Sequence, residues 1–135
     1  MDNTGLSILL IVAAVFTAPY LFTRFSSYRA IGKTAPSFDQ LLPEAADASK
    51  TFYFYFMSDN CPMCSSMSPL IKELQTVNPN IIYINVNEMP DLVRDFYVYG
   101  TPTLHAVKNN IIVKSKLGGL SEKKLNWFIE TQAMN

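Results

Sequence analysis

The sequence predicts an α/β domain, a mixed sheet flanked by helices, preceded by one N-terminal transmembrane helix. Three observations carry that prediction. Leu6 to Phe22 contains no charged side chain. Thr51–Met57 and Ile81–Val86 are apolar, strand-like runs separated by a segment of helical periodicity, the pattern of a right-handed βαβ unit. Thr103–Val107 and Ile111–Leu117 flank Asn109-Asn110, residues that tolerate the positive φ angles of a tight hairpin turn.

The expected organisation is a membrane anchor over 1–23, a juxtamembrane linker over 24–37 and a folded domain over 38–135. The apolar run at 6–22 meets the lower limit for crossing a hydrocarbon core of roughly 30 Å. Tyr20, Phe22, Phe25 and Tyr28 then cluster as aromatic side chains do at a membrane interface. A cleaved signal peptide would place basic residues before the run, yet Asp2 is the only charge there, and no A-x-A cleavage site follows. The segment reads as an uncleaved anchor.

Two arguments about its orientation oppose one another. Arg24, Arg29 and Lys33 follow the span, and the positive-inside rule puts that flank in the cytoplasm. A tethered thiol pair, however, finds disulfides to make or break in an oxidising compartment. Because three charges spread over ten residues are a modest bias, the expectation is an extracytoplasmic, periplasmic domain.

Gly32 and Pro36 punctuate the linker. A first helix is expected next, with Ser37 as N-cap, Gln40 completing a capping box, and Phe38, Leu41, Leu42 and Ala45 at helical spacing despite Pro43. The uncharged aromatic run at 51–57 suits a central strand buried on both faces. Met67, Leu70, Ile71, Leu74 and Val77 recur every three or four residues and define an amphipathic helix, with Pro69 expected to kink it. Pro90 opens a short helix carrying Leu92, Val93 and Phe96, which Gly100 is expected to end. Ser121 caps a final helix in which Leu120 and Leu125 form a hydrophobic staple.

The chemistry lies at Cys61-Pro62-Met63-Cys64, which holds the two cysteines of the chain. A strand that stops at C-x-x-C and continues as a helix puts the first cysteine at the helix N-terminus, where free amides and the macrodipole stabilise a thiolate. Cys61 is therefore the expected nucleophile. Cys64, one turn further and more buried, is placed to attack a mixed disulfide formed by Cys61. A zinc site needs a second ligand pair, and the chain offers one histidine, His105. A purely structural bridge this short restrains little of the unfolded chain.

Basic and acidic residues are equal in number at 11 each, so no bulk field recommends nucleic acid as a partner. Lys108, Lys114, Lys116, Lys123 and Lys124 read as a solvated face. Asp59 and Asp95 are the acids nearest the motifs and are expected to face water, and His105 reads as a packed core residue.

Together, the strand, the C-x-x-C, the proline-bearing helix, Gly100-Thr101-Pro102-Thr103, the Asn109-Asn110 hairpin, Gly118 and the last helix resemble the thioredoxin superfamily over about residues 50–132. The resemblance implies a thioredoxin-like fold, a cis-proline at Pro102 facing the cysteine pair, and a substrate groove lined by Pro62, Met63, Thr101 and Pro102. It also implies a redox-active disulfide, Cys61–Cys64, and no further cofactor. Gly32 to Phe38 is similar to the G-x-x-A-P-x-F opening of membrane-tethered periplasmic thioredoxin-like proteins of cytochrome and amine-dehydrogenase maturation.

The departures from thioredoxins are also informative. Asn60-Cys61-Pro62-Met63-Cys64 stands in place of Trp-Cys-Gly-Pro-Cys, and Tyr55 stands where thioredoxins bury an aspartate. Proline after the first cysteine is similar to glutaredoxins and Dsb-type oxidants, with potentials from roughly −230 to −120 mV. Threonine before the cis-proline is similar to Dsb-type isomerases. The expected function is a membrane-tethered thiol–disulfide oxidoreductase that reduces or isomerises disulfides of partner proteins, with oxidase activity close behind and a membrane or soluble electron donor to reset the pair. Two alternatives accompany it. Met57, Met63 and Met67 near the thiols form a soft ligand set suited to Cu(I). A non-catalytic, membrane-tethered adaptor is the other.

Overall fold

A computed structural model describes residues 3–133. Four strands form one mixed sheet in the order β2-β1-β3-β4. The central strand β1 (Phe52–Met57) pairs in parallel with β2 (Ile81–Asn85) and antiparallel with β3 (Thr103–Lys108), and β3 pairs antiparallel with β4 (Ile111–Leu117). The helices are α1 (Asn3–Ala30), α2 (Pro62–Val77), α3 (Pro90–Asp95) and α4 (Glu122–Ala133).

Alternation along β1 sorts its aromatic residues by chemistry. Phe52, Phe54 and Phe56 enter one core layer with Phe38, Ile82, Ile84, Phe96, Val107 and Ile112. Tyr53 and Tyr55 enter the other with Met67 and Ile71 of α2 and Leu125 and Phe128 of α4. The purely apolar rings pack on rings, Phe54 lying 4.7 Å from Phe96 and 4.9 Å from Phe38 between centroids. The tyrosines face the helices, where their hydroxyls find partners: Tyr53 donates to the Ile129 carbonyl at 2.7 Å, and Tyr55 lies 3.0 Å from Ser68 Oγ. Burial pushes the Tyr53 phenol up to about 12 and also raises that of Tyr55, so both stay neutral.

The hairpin forms as expected, with Asn109 and Asn110 at φ 51° and 62°. Other expectations need correction. The helix expected from Ser37 is a single 3-10 turn, Asp39–Leu41, and Ser37 Oγ bonds the Asp39 carboxylate instead of capping a helix. Pro43 explains the stop, because the residue before a proline is driven from helical backbone, and Leu42 is extended at φ −77°, ψ 129°. The short helix α3 ends before Gly100. Tyr97 adopts φ 58°, its N–H reaches the Arg94 carbonyl and the Val98 N–H reaches that of Val93, which is a Schellman cap built on a tyrosine. Lys114 is not simply solvated: its Nζ sits 4.1 Å from the Trp127 ring centroid and donates to Thr131 Oγ1.

The largest departure concerns residues 24–37. Their first half is helix, since α1 continues unbroken to Ala30. Their second half pairs with the sheet edge: Gly32 N–H donates to Ile112 O at 2.8 Å, Ile112 N–H to Lys33 O at 2.9 Å, and Ala35 N–H to Asn110 O at 2.8 Å, around an antiparallel bridge between Thr34 and Ile111. This segment covers the otherwise open end of edge strand β4. Within α1, Thr4–Phe22 is long and apolar enough to cross a membrane, with a mean hydropathy of 2.2 and none of the segment buried. Asp2 and the Arg24 side chain lie outside the described residues.

His105 is buried on the phenylalanine side of β3, and its Nε2–H donates to the Phe96 carbonyl at 2.9 Å. Burial, acting against that bond, pushes its pKa down to about 4. The unfolded chain therefore binds a proton near pH 6.5 that the fold resists until about pH 4. Stability is complete above about pH 6.5 and falls as pH drops towards 4, by up to about 3 kcal/mol from this group. Urea unfolding of the full chain in detergent at pH 7 and pH 4.5 tests this. The wild type should lose more stability than His105→Gln over that interval; equal losses would exclude His105 as the cause.

Candidate active site

Cys61 occupies the N-cap of α2 with extended backbone, φ −100° and ψ 108°, and Pro62 supplies the first helical residue without leaving an amide unpaired. Cys61 Sγ takes the place of a capping oxygen, accepting the Cys64 N–H at 3.2 Å. The first turn of α2 carries no acidic side chain, and the positive end of the helix lies at that sulfur. The two cysteines are joined as a disulfide, with Cα atoms 5.2 Å apart. Their exposure is unequal. Cys61 is half-buried and Cys64 is 1% exposed, so an incoming group meets Cys61 first.

The second motif is tied to this helix end through Gly118 and Gly119. The Thr101–Pro102 peptide is cis, and the Pro102 carbonyl accepts the Gly118 N–H at 2.8 Å. Gly118 takes φ 100°, which a side chain would disfavour. A methyl group at Gly119 would lie 3.7 Å from Met63 Cβ, so the Gly118-Gly119 turn fits directly against the residue between the cysteines. Thr103 Oγ1 closes the loop by donating to the Gly100 carbonyl at 2.7 Å. Pro102 is buried, Thr101 half-buried and Pro62 exposed, while Met63 is 55% exposed. Sequence reasoning missed Gly119, whose Gly-Gly context was its available signal.

Beneath α2, Tyr55 is fully buried and its hydroxyl meets Ser68, one turn beyond Cys64. A phenol raised by burial does not exchange protons at neutral pH as a carboxylate would. Asp59 is exposed and accepts a bond from Asn85 Nδ2 at 3.1 Å. The three methionines do not share one environment: Met67 is 2% exposed in the core, Met57 is half-buried, and Met63 lies at the surface against Gly119. His105 bonds Phe96 and packs against Phe56, away from the thiols' helix layer.

Comparison with known proteins agrees with this geometry. The thioredoxin family model matches residues 30–131. A thioredoxin H5 from Oryza sativa subsp. japonica is 34% identical over 88 residues, which is 64% of this chain and 65% of the rice protein, so the match spans slightly under two thirds of that relative. A thioredoxin from Rhodospirillum rubrum is 30% identical over 78 residues, covering 56% of this chain and 75% of that protein. Among solved structures, a thioredoxin pre-protein from Schistosoma mansoni superposes with a TM-score of 0.57 at 24% identity, covering 63% of this chain and 81% of that one. A mutant thioredoxin from Halobacterium salinarum gives 0.58 at 24% identity, covering 63% and 76%. These two support the fold. With a matched family model over most of its length, the chain belongs to the thioredoxin family.

Proposed function

We propose that this protein is a membrane-tethered thiol–disulfide oxidoreductase that reduces or isomerises disulfides of partner proteins. The observation that carries the reading is Cys61 Sγ at the N-cap of α2, accepting the Cys64 N–H of a helix whose first turn holds no acidic side chain. In the reduced pair, the Cys61 thiolate attacks one sulfur of a partner disulfide and displaces the other as a thiolate. Cys64, having lost its proton, attacks Cys61 Sγ, frees the partner as a dithiol and leaves the pair oxidised. A dithiol donor, membrane-bound or soluble, returns two electrons.

Pro62, Met63, Thr101 and Pro102 form the groove in which the partner chain lies. Residues 1–23 anchor the protein through 6–22, and the domain from residue 38 onward is extracytoplasmic. Support for the anchor is the uniformly exposed apolar surface of Thr4–Phe22, which a water-soluble protein would bury.

Insulin reduction by purified protein with a dithiol donor tests the roles of the two cysteines. Cys61→Ser should lower turnover to background, whereas Cys64→Ser should accumulate mixed disulfides that reductant releases. Full turnover by Cys61→Ser would overturn the assignment.

The direction of electron flow is tested by equilibrating the pair against glutathione. A potential at or below about −220 mV is expected of a reductase, whereas one near −120 mV would make the protein an oxidase.

A further inference from the structure

We infer that the reactive edge of this domain faces the bilayer, and that its partner is an integral membrane protein presenting its thiols or disulfide at headgroup depth. The inference rests on the proposed anchor and dithiol, and adds the direction in which the site looks.

Strand direction supplies the first step. β4 starts at the Asn109-Asn110 turn, remote from the cysteines, and ends at Leu117, beside Gly118 and its bond to Pro102. The segment 32–35 pairs antiparallel to the start of β4, so its chain runs towards the hairpin turn. Traced backwards from Ala35, the chain rises towards the active-site end. The helix that precedes this segment also contacts β4, and a turn at Gly32 joins the two.

Packing supplies the second step. Ser26 and Ala30 of α1 are buried, Ala30 within the phenylalanine layer that includes Val107 and Ile112. The Arg29 guanidinium sits 5.8 Å from the Phe25 ring centroid and 5.7 Å from that of Tyr99. Tyr99 lies two residues before Thr101, in the loop that carries the cis-proline. The helix leaving the bilayer thus meets the domain at its active-site loop, not at the hairpin end.

Distance supplies the third step. From Phe22, the end of the apolar span, to Arg29 is roughly 10 Å along a helix. The headgroup layer is roughly 5–8 Å thick on each side of the hydrocarbon. The Tyr99–Pro102 loop therefore lies at or just beyond the headgroups. Residues exposed along this edge suit such a position: Tyr99 is 47% exposed, and Phe25, Tyr28 and Met63 are exposed as well. A soluble globular substrate would have to enter between the groove and the lipid. A cysteine pair at the mouth of a membrane-embedded partner is already there, at the local concentration a shared bilayer provides.

The test uses the full chain reconstituted into phosphatidylcholine–phosphatidylglycerol vesicles containing a headgroup-nitroxide lipid. Bimane is attached to Cys61 in a Cys64→Ser protein, and in a second protein to Asn109→Cys with both native cysteines changed to serine. Quenching at Cys61 should exceed that at position 109 by at least about twofold, given the short range of the label relative to the headgroup layer. Equal quenching, or stronger quenching at 109, would overturn the inference. Flotation of the same proteins with vesicles after carbonate washing, and insulin reduction by the wild type, report anchoring and redox function separately. Failure of the quenching pattern with both intact defeats the orientation alone; failure of flotation defeats the anchor and the orientation together.

Discussion

Burial of β1 on both faces is the constraint on which the remaining structure depends. A strand whose phenylalanines and tyrosines are excluded from water on opposite sides must be paired on both edges and covered twice. β2 and β3 provide the edges. The tyrosine side requires hydroxyl partners, which α2 and α4 supply through Ser68 and Ile129. The phenylalanine side requires none and is closed by Phe38, Phe96 and the end of α1. Because β1 is so fixed, the turn that leaves it is fixed too. Cys61 is presented at the start of α2 and its sulfur falls among the free amides of that helix.

The features legible in the sequence were those set by local chemistry. Alternation and aromatic content marked β1, the three-four repeat marked α2, and Asn109-Asn110 marked the hairpin. The cysteine spacing identified the helix end that carries the disulfide. What escaped depends on contacts distant in sequence. Phe38, Leu41 and Leu42 are apolar because they face a core layer, not because they share a helix. Tyr97 takes a positive φ because Phe96 beside it is anchored in the core, so the cap falls where packing demands it and not at the nearby glycine. No pattern within residues 31–36 announces that they bond the edge of β4, a strand some eighty positions later.

Tyr55 illustrates how one substitution alters chemistry without altering architecture. Its ring fills space in the layer with Met67 and Ile71, and its hydroxyl is satisfied by Ser68, so the fold accepts it. An ionised carboxylate at this position would serve as a proton acceptor; a phenol kept protonated by burial does not at neutral pH. In the proposed mechanism, the proton of Cys64 then passes to water or to the partner's leaving thiolate.

The contact between Arg29 and Tyr99 also bears on topology. Arg24, Arg29 and Lys33 follow an apolar span, and counted simply as charges they favour a cytoplasmic flank. Arg29, however, is held between two aromatic rings and joins α1 to the active-site loop, so packing explains its identity. Lys33 is exposed, but its backbone is committed to pairing with Ile112. A residue selected for an intramolecular contact carries less information about the side of the membrane on which it lies. With that charge set aside two basic residues remain on the flank, and the proposed extracytoplasmic placement rests on the greater supply of substrate disulfides in an oxidising compartment.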